Sequence, residues 1–406
     1  MLELLGWASG PLVFLGYGRA FHDTRKIFQK QLSRQTSAIF QDNQSRQAAI
    51  LAQNLLETPD KFEDHIQRFA SAVVMEIAYG HHVSSPDDPY LRIADKINEL
   101  VAGIGAQGSN LVDLFPFLIK LPAWFPGAWY IRYANKHLPT FLRIQRYGFD
   151  EVRKEMERGT AKPSFLSLNL EELAREGRES EEEFRRLEVS SFHLYGAGGE
   201  TTKSTLHTMI LALLLNPQAQ KKAQGEIDKV IGVHRLPDFT DREALPYVEC
   251  LMYETMRWHP AVPLGIPHRV MEDDMYEGMF IPKGSTIVPN IRSMTLDESV
   301  HKNPETFFPE RYLPQPAGLG EGYPHSVFGF GRRLCPGRHL AVASVWIVLV
   351  TLLSAFDIRP VKDANGDDII PPAEFHTALS SHPVPFKCAI TPRSELARNL
   401  VLRSKE

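Results

Sequence analysis

The sequence predicts a mainly α-helical fold with a small β region, an α+β class, carried by one unit spanning residues 1–406. Three observations predict it. Apolar residues recur at three- and four-residue spacing through much of the stretch before Pro260, as in helices with one buried face. One helical stretch, 180–215, is far longer than the rest. After Pro260, prolines, glycines and β-branched residues appear in short alternating runs, the texture of small strands and turns.

In chain order, the spacing predicts helices over 60–79, 91–104 and 136–157, separated by turn signals. The long helix opens on Ser180 and Glu183, spaced as a capping box, and runs to Leu215, where Asn216 and Pro217 stop it. At 1.5 Å per residue it spans ~50 Å, so a chemical group at its middle lies near the centre of the fold. Residues 284–289 read as a strand, 338–355 as a helix, and 369–391 as turns and short strands. The apolar run 340–356 is at the lower edge of the ~17–25 residues that cross a bilayer. It follows directly on a loop rich in glycine and arginine and has no companion span, so it is expected to be a core helix packed behind that loop. No internal repeat or low-complexity linker divides the chain.

Composition narrows the function classes. The formal charge is -4, with 45 basic and 49 acidic residues, and this gives no basic field to attract nucleic acid. The three cysteines, Cys250, Cys335 and Cys388, are odd in number and far apart, unlike a disulfide framework or a paired-ligand zinc site. A reducing compartment is expected. The apolar stretch 4–17 is too short to span a membrane and lacks the basic flank of a signal peptide. His81 and His82, adjacent in an extended segment, point to opposite faces and are expected at the surface.

Three motifs carry chemistry. The first is FGFGRRLCPG over 328–337, where glycines frame one cysteine and a helix follows. Backbone amides and the helix start stabilise a sulfur anion, and Gly331 and Gly337 let a flat cofactor approach the backbone. The second is AGGETT over 197–202, in mid-helix. With Gly196 it places three glycines where each costs ~1 kcal/mol relative to alanine, so a group is expected to approach the backbone there, over a helix bulge; packing through small residues is the rival explanation. The third is Glu254 and Arg257, on one helix face, with Arg311 downstream in a PERY sequence.

Together these motifs resemble those of the cytochrome P450 family. The pattern FxxGxRxCxG is present as Phe328, Gly331, Arg333, Cys335 and Gly337. The resemblance implies that Cys335 is the axial thiolate ligand of heme b, feeding electron density to the iron and favouring O–O cleavage. It implies that Arg333 binds a heme propionate and that Phe328 shields the sulfur. Glu200 and Thr201 then relay protons and offer a hydroxyl to dioxygen, while Glu254, Arg257 and Arg311 form a structural triad. His268, in Pro267-His268-Arg269, is expected at a propionate. Val262, Pro263 and Leu264, with the helix face near Leu194, are expected to touch an apolar substrate.

The resemblance starts at Glu3 to Trp7 and at Tyr17-Gly18, which look like the approach to helix C of fungal members. Those members have Trp-Arg where this chain has Phe21-His22, so one propionate donor is missing, and His22 or Arg25 is expected to compensate. Full-length microsomal members carry an anchor, the first strands and helices A and B upstream of this point. The chain is therefore expected to be an N-terminally truncated P450 fold, with Met1 internal to a longer product or to an incomplete gene model. Residues 118–130 (LIKLPAWFPGAWY) resemble the family's membrane-dipping loop between helices F and G, with a channel or core loop as the alternative. Arg19, Arg25, Lys26, Arg332 and Arg338 are expected to form a docking face for an NADPH-dependent reductase, since no nucleotide fingerprint occurs in this chain.

The function so implied is a monooxygenase acting on a small apolar organic substrate, of the secondary-metabolite and xenobiotic kind common among fungal members. Its expected location is peripheral, on the cytoplasmic side of the endoplasmic reticulum, or otherwise the cytosol. Two alternatives stand beside it: a heme-thiolate isomerase or peroxygenase, and an inactive heme-free scaffold. Glu200 and Thr201 favour oxygen activation.

Overall fold

A computed structural model describes residues 4, 10–83, 88–90, 92–93, 111–376 and 378–404, with backbone alone at 113, 114 and 116. The chain divides into two compact units. The first comprises Met1–Gln47, Gln67–Glu200 and His339–Ala341; the second comprises Ala48–Ile66, Thr201–Arg338 and Val342–Glu406. The divisions fall inside helices, so no change of composition marks them.

Ten helices of nine residues or more are described: α1 Arg19–Leu32, α2 Gln41–Glu57, α3 Phe62–Tyr79, α4 Trp129–Glu157, α5 Phe165–Glu176, α6 Glu181–Leu215, α7 Pro217–Val230, α8 Pro246–Trp258, α9 Arg338–Ala355 and α10 Glu395–Arg403. The strands are short antiparallel pairs in the second unit. β1 (His268–Arg269) pairs with β4 (Thr286–Ile287), β2 (Asp274–Tyr276) with β3 (Met279–Ile281), β5 (Phe356–Arg359) with β8 (Ala389–Pro392), and β6 (Val361–Lys362) with β7 (Asp368–Ile369).

In the first unit, aromatic contacts tie the helices together. Phe28 of α1 meets Phe165 of α5 at 5.2 Å, and Phe141 of α4 meets Phe192 of α6 edge-on at 5.5 Å. Gln145 donates to the Glu188 carboxylate at 2.6 Å, both side chains buried. Gly148 is needed where α4 crosses Tyr79, because a Cβ there would lie 2.6 Å from the ring. α4 begins seven residues before the expected Lys136 and runs through Pro139. Burial of Tyr130, Ile131 and Ala134 against Val112 and Ala128 outweighs the hydrogen bond that proline cannot donate, a loss of ~3 kcal/mol.

In the second unit, the far half of α6 and the middle of α9 form the core. Trp346, Val348, Leu349, Val350 and Leu353 are fully buried, each worth about 1.5–3 kcal/mol of transfer free energy. α9 is the one described helix long and apolar enough to cross a membrane, and most of it is buried in protein. Gln220 of α7 bonds both to and from the Ile358 backbone, at 2.9 and 2.8 Å, so a helix side chain completes the edge of β5.

Two expectations change. The predicted box at the start of α6 is half formed: the Glu183 amide donates to Ser180 Oγ at 3.2 Å, but the Glu183 carboxylate turns to Arg186 at 2.6 Å. His82 is exposed, whereas His81 is half-buried, 2.9 Å from the buried Asp88 carboxylate and with its ring 4.2 Å from Tyr90 at a tilt of 33°. Asp88 and Tyr90, a few residues further along the chain, cover one of the two faces. The predicted helix 91–104 and the segment Glu3 to Trp7 lie outside the described residues, apart from Leu4, Arg92 and Ile93.

Candidate active site

The loop 328–337 is a tightly folded turn with its cysteine at the exit. The Cys335 amide donates to the Phe328 carbonyl at 2.8 Å, Arg333 N to Phe330 O at 3.1 Å, and Leu334 N to Gly331 O at 3.2 Å. Gly329 and Gly331 take φ values of +80° and +50°, which side chains other than glycine's rarely adopt. α9 starts three residues after Cys335 with no side-chain cap, leaving its positive end for an anion. A Cβ built on Gly331 or Gly337 meets nothing within 4 Å. Phe328, Arg333 and Cys335 are all half-buried.

The three cysteines are not equivalent. Burial pushes the thiols of Cys250 and Cys388 up to about 12, so both stay protonated and inert. Only Cys335 sits half-exposed on a glycine-framed loop. A half-exposed cysteine at the start of a helix, open glycine faces and the Arg338 guanidinium 3.2 Å from the Cys335 carbonyl fit a heme held by a thiolate.

α6 is continuous from Glu181 to Leu215, without the expected bulge. Its glycines divide between the two explanations. Gly198 is a packing glycine, since a Cβ there would stand 3.1 Å from Val74 Cγ2, whereas Gly196 and Gly199 face open space. Glu200 and Thr201 are half-buried, and the Thr201 carbonyl accepts from Thr205 Oγ1 at 3.0 Å.

Glu254, Arg257 and Arg311 meet in a fully buried cluster. Arg257 Nε and Nη2 reach the two Glu254 oxygens at 2.8 and 2.9 Å, and Arg311 Nε reaches Glu254 Oε2 at 2.9 Å. The same carboxylate accepts from Phe308 N at 2.8 Å and Tyr312 Oη at 3.2 Å. Burial beside this carboxylate pushes the Tyr312 phenol far up, so it remains a donor.

Glu321 extends the cluster, accepting from Arg311 Nη1 at 3.1 Å and from the Lys302 amide at 3.0 Å, with His301 Nδ1 at 2.7 Å. Burial works against ionising Glu321, but bonds from His301, the Lys302 amide and Arg311 hold its carboxyl below the ordinary range. Sequence reasoning missed Tyr312, Glu321 and His301. Tyr312 adjoins Arg311 and was within reach; nothing local announces the other two.

The remaining candidates are scattered. His268 is exposed in β1 opposite Ile287. Val262 and Pro263 are half-buried and Leu264 is exposed, in a turn closed by Gly265 N to Val262 O at 3.0 Å. Leu194 is buried on α6. Phe21 is buried, and His22 is exposed with its ring edge-on to Tyr17 at 4.8 Å.

Arg25 is only 8% exposed, which removes it from an exposed docking face. It lies one turn beyond Phe21 on the packed face of α1, so its guanidinium is drawn inward with that face. Arg19, Lys26 and Arg332 are exposed and Arg338 is half-buried. In 118–130, Trp124 is 79% exposed and Phe125 and Trp129 are also exposed, but Tyr130 is buried, its hydroxyl on the Leu118 carbonyl at 3.0 Å. Leu111, Phe115 and Phe117, just before this segment, are exposed as well.

Comparison with known proteins finds relatives over nearly the whole chain. The cytochrome P450 family profile matches residues 7–389. Cytochrome P450 monooxygenase 176 of Postia placenta is 37% identical over 396 residues, covering 97% of this chain and 76% of that protein. Cytochrome P450 monooxygenase claR of Ampulloclitocybe clavipes is 36% identical, covering 98% and 74%, and tryptamine 4-monooxygenase of Psilocybe cyanescens is 34% identical, covering 97% and 78%. A zebra fish cytochrome P450 solved with progesterone shares the fold at a TM-score of 0.78 and 23% identity, covering 96% of this chain and 86% of that one.

Proposed function

The chain belongs to the cytochrome P450 family and is a monooxygenase, and from that premise we propose that it holds heme b at Cys335 and oxidises a small apolar organic substrate in fungal secondary metabolism. The observation that carries this reading is the contrast among the cysteines. Two are buried with thiols raised to about 12, and the third stands half-exposed on a loop whose glycines leave room for a flat ring.

When bound, the heme supplies the reduction of dioxygen and the transfer of one oxygen atom to the substrate. Cys335 would carry the thiolate, its negative charge favoured by the uncapped start of α9. Arg333 and His268 of the second unit would be propionate partners, and so, taken by themselves, would Arg25 and His22 of the first. Thr201 holds a hydroxyl at the middle of α6, and Glu200 passes protons toward it. The balance requires two electrons and two protons: one oxygen atom enters the substrate and the other leaves as water. The electrons come from NADPH through a separate reductase, for which the exposed Arg19, Lys26 and Arg332 offer cationic contacts.

The location we propose is the cytoplasmic face of the endoplasmic reticulum. Support comes from the exposed Trp124, Phe125 and Trp129 and the exposed Leu111, Phe115 and Phe117 that precede them in the chain, a composition suited to the headgroup region. The test is reconstitution with a fungal NADPH-dependent reductase, labelled dioxygen and a substrate library that begins with tryptamine. One labelled oxygen atom in the product and none without NADPH is expected; NADPH-independent product formation would refute the reading.

A further inference from the structure

Ser381 sits at the centre of a hydrogen-bond knot in the second unit that no motif announced. Its four polar connections reach α6, the 259–261 stretch and the far side of its own turn. Its amide donates to the Ala261 carbonyl at 2.8 Å. Its carbonyl accepts from Ser204 Oγ, on α6 three residues beyond Thr201. Its hydroxyl donates to the His376 carbonyl at 2.8 Å and lies 2.8 Å from His259 Nε2. A hydroxyl has one proton. With that proton on the His376 carbonyl, the His259 contact must be an N–H donated to Ser381, which makes His259 the neutral Nε2-protonated tautomer.

The surroundings hold this arrangement rigid. The His259 ring is stacked on Phe375 at 3.4 Å, Phe375 bridges Pro383, and the His376 amide donates to the His382 carbonyl at 2.9 Å. Burial lowers the His259 pKa to about 3, so the donor stays neutral across the working range. Ser381 is 3% exposed, while Leu379, two residues away on the same turn, is 49% exposed. The turn is thus fixed at its base with an apolar side chain displayed near its tip. Its base is bonded to the backbone at Ala261, which leads directly into Val262, Pro263 and Leu264.

We propose that Ser381 is a positioning residue that locks the turn bearing Leu379 to the 261–264 stretch and to α6, and so sets the shape of the apolar side of the substrate site. This rests on the monooxygenase reading and on the assignment of 262–264 to substrate. Ser381 touches no reacting atom. Its loss leaves the His259 N–H and the His376 carbonyl without their partner, which frees the turn and not the heme loop.

The test uses the heme-loaded full chain and two ligands read by their Soret shift: imidazole, which needs only the iron, and 1-dodecylimidazole, which must also lay an alkyl chain along the site. Ser381→Ala is expected to raise the Kd for dodecylimidazole about tenfold while leaving that for imidazole unchanged. Ser204→Ala, which removes a different bond of the knot, shifts the same ligand in the same direction and keeps the test alive if Ser381→Ala folds poorly. His259→Phe adds nothing to Ser381→Ala in the double variant, and His259→Gln, which retains an N–H donor, recovers most of the loss. Unchanged Kd values for both ligands, or equal weakening of both, overturn the proposal. Failure of the wild-type chain to shift with imidazole at all overturns the heme reading itself, and is recognisable because it needs no variant.

Discussion

Replacing Glu254 by glutamine should be among the most damaging isosteric changes in the chain. The carboxylate takes five hydrogen bonds, three from guanidinium nitrogens, and Glu254, Arg257 and Arg311 are all fully buried. Glutamine keeps the volume, removes the charge, and turns an NH2 group toward nitrogen donors. Arg311 retains Glu321 at 3.1 Å, but the other partners of Arg257 are the carbonyls of Thr295 and Thr306. A buried cation left without its anion costs about 3–5 kcal/mol, a large share of a total that is typically about 5–15 kcal/mol. The assay is urea unfolding followed by far-ultraviolet circular dichroism, with m values compared so that the shift in midpoint reports stability. Glu321→Gln, which spares the centre of the cluster, is expected to cost less, about 1–3 kcal/mol. A Glu254→Gln protein within about 1 kcal/mol of wild type, the range of ordinary substitutions, would refute the reasoning.

The other predictions are as direct. On α6, Gly199→Ala should stabilise the heme-free chain by up to about 1 kcal/mol through helix propensity while weakening heme uptake. Gly198→Ala should stabilise it less than Gly199→Ala, because its Cβ 3.1 Å from Val74 Cγ2 offsets the same propensity gain; thermal melts and heme titration separate the two. Thr201→Ala should lower product formed per NADPH oxidised, and Glu200→Gln should cut turnover by about 10²-fold or more, read by paired NADPH and product assays. Iodoacetamide at mildly alkaline pH should label Cys335 in heme-free protein and spare Cys250 and Cys388, as peptide mapping would show. Because burial raises those two thiols to about 12, their share of stability is present below about pH 8.5 and is lost as pH climbs toward 12. Trp124→Asp with Phe117→Asp should reduce binding to phosphatidylcholine vesicles in flotation assays, with circular dichroism unchanged.

What the sequence discloses follows the range of the interactions. Helices α6 and α9 are legible because periodicity and stop signals are local, and the loop at Cys335 because its glycines answer backbone demands within ten residues. Glu254 and Arg257 declare themselves at helical spacing. Glu321 and Ser381 do not, since their partners come from segments such as His301, Ser204 and His259, and no local pattern encodes a bond across so much chain. The same limit explains Arg25, Tyr130 and His81: a charged, amphipathic or polar side chain reads as exposed until the element that covers it is known. The AGGETT stretch shows a subtler limit, for adjacent glycines with opposite purposes are indistinguishable without Val74 in place.

The most direct measurement is the difference spectrum of the reduced, carbon-monoxide-bound protein after heme loading, taken on wild type and on Cys335→Ser. The account predicts the thiolate-type Soret band in wild type and its loss in Cys335→Ser, with circular dichroism unaltered. A wild-type chain without that band, or a Cys335→Ser chain that keeps it, would contradict the assignment of the heme ligand.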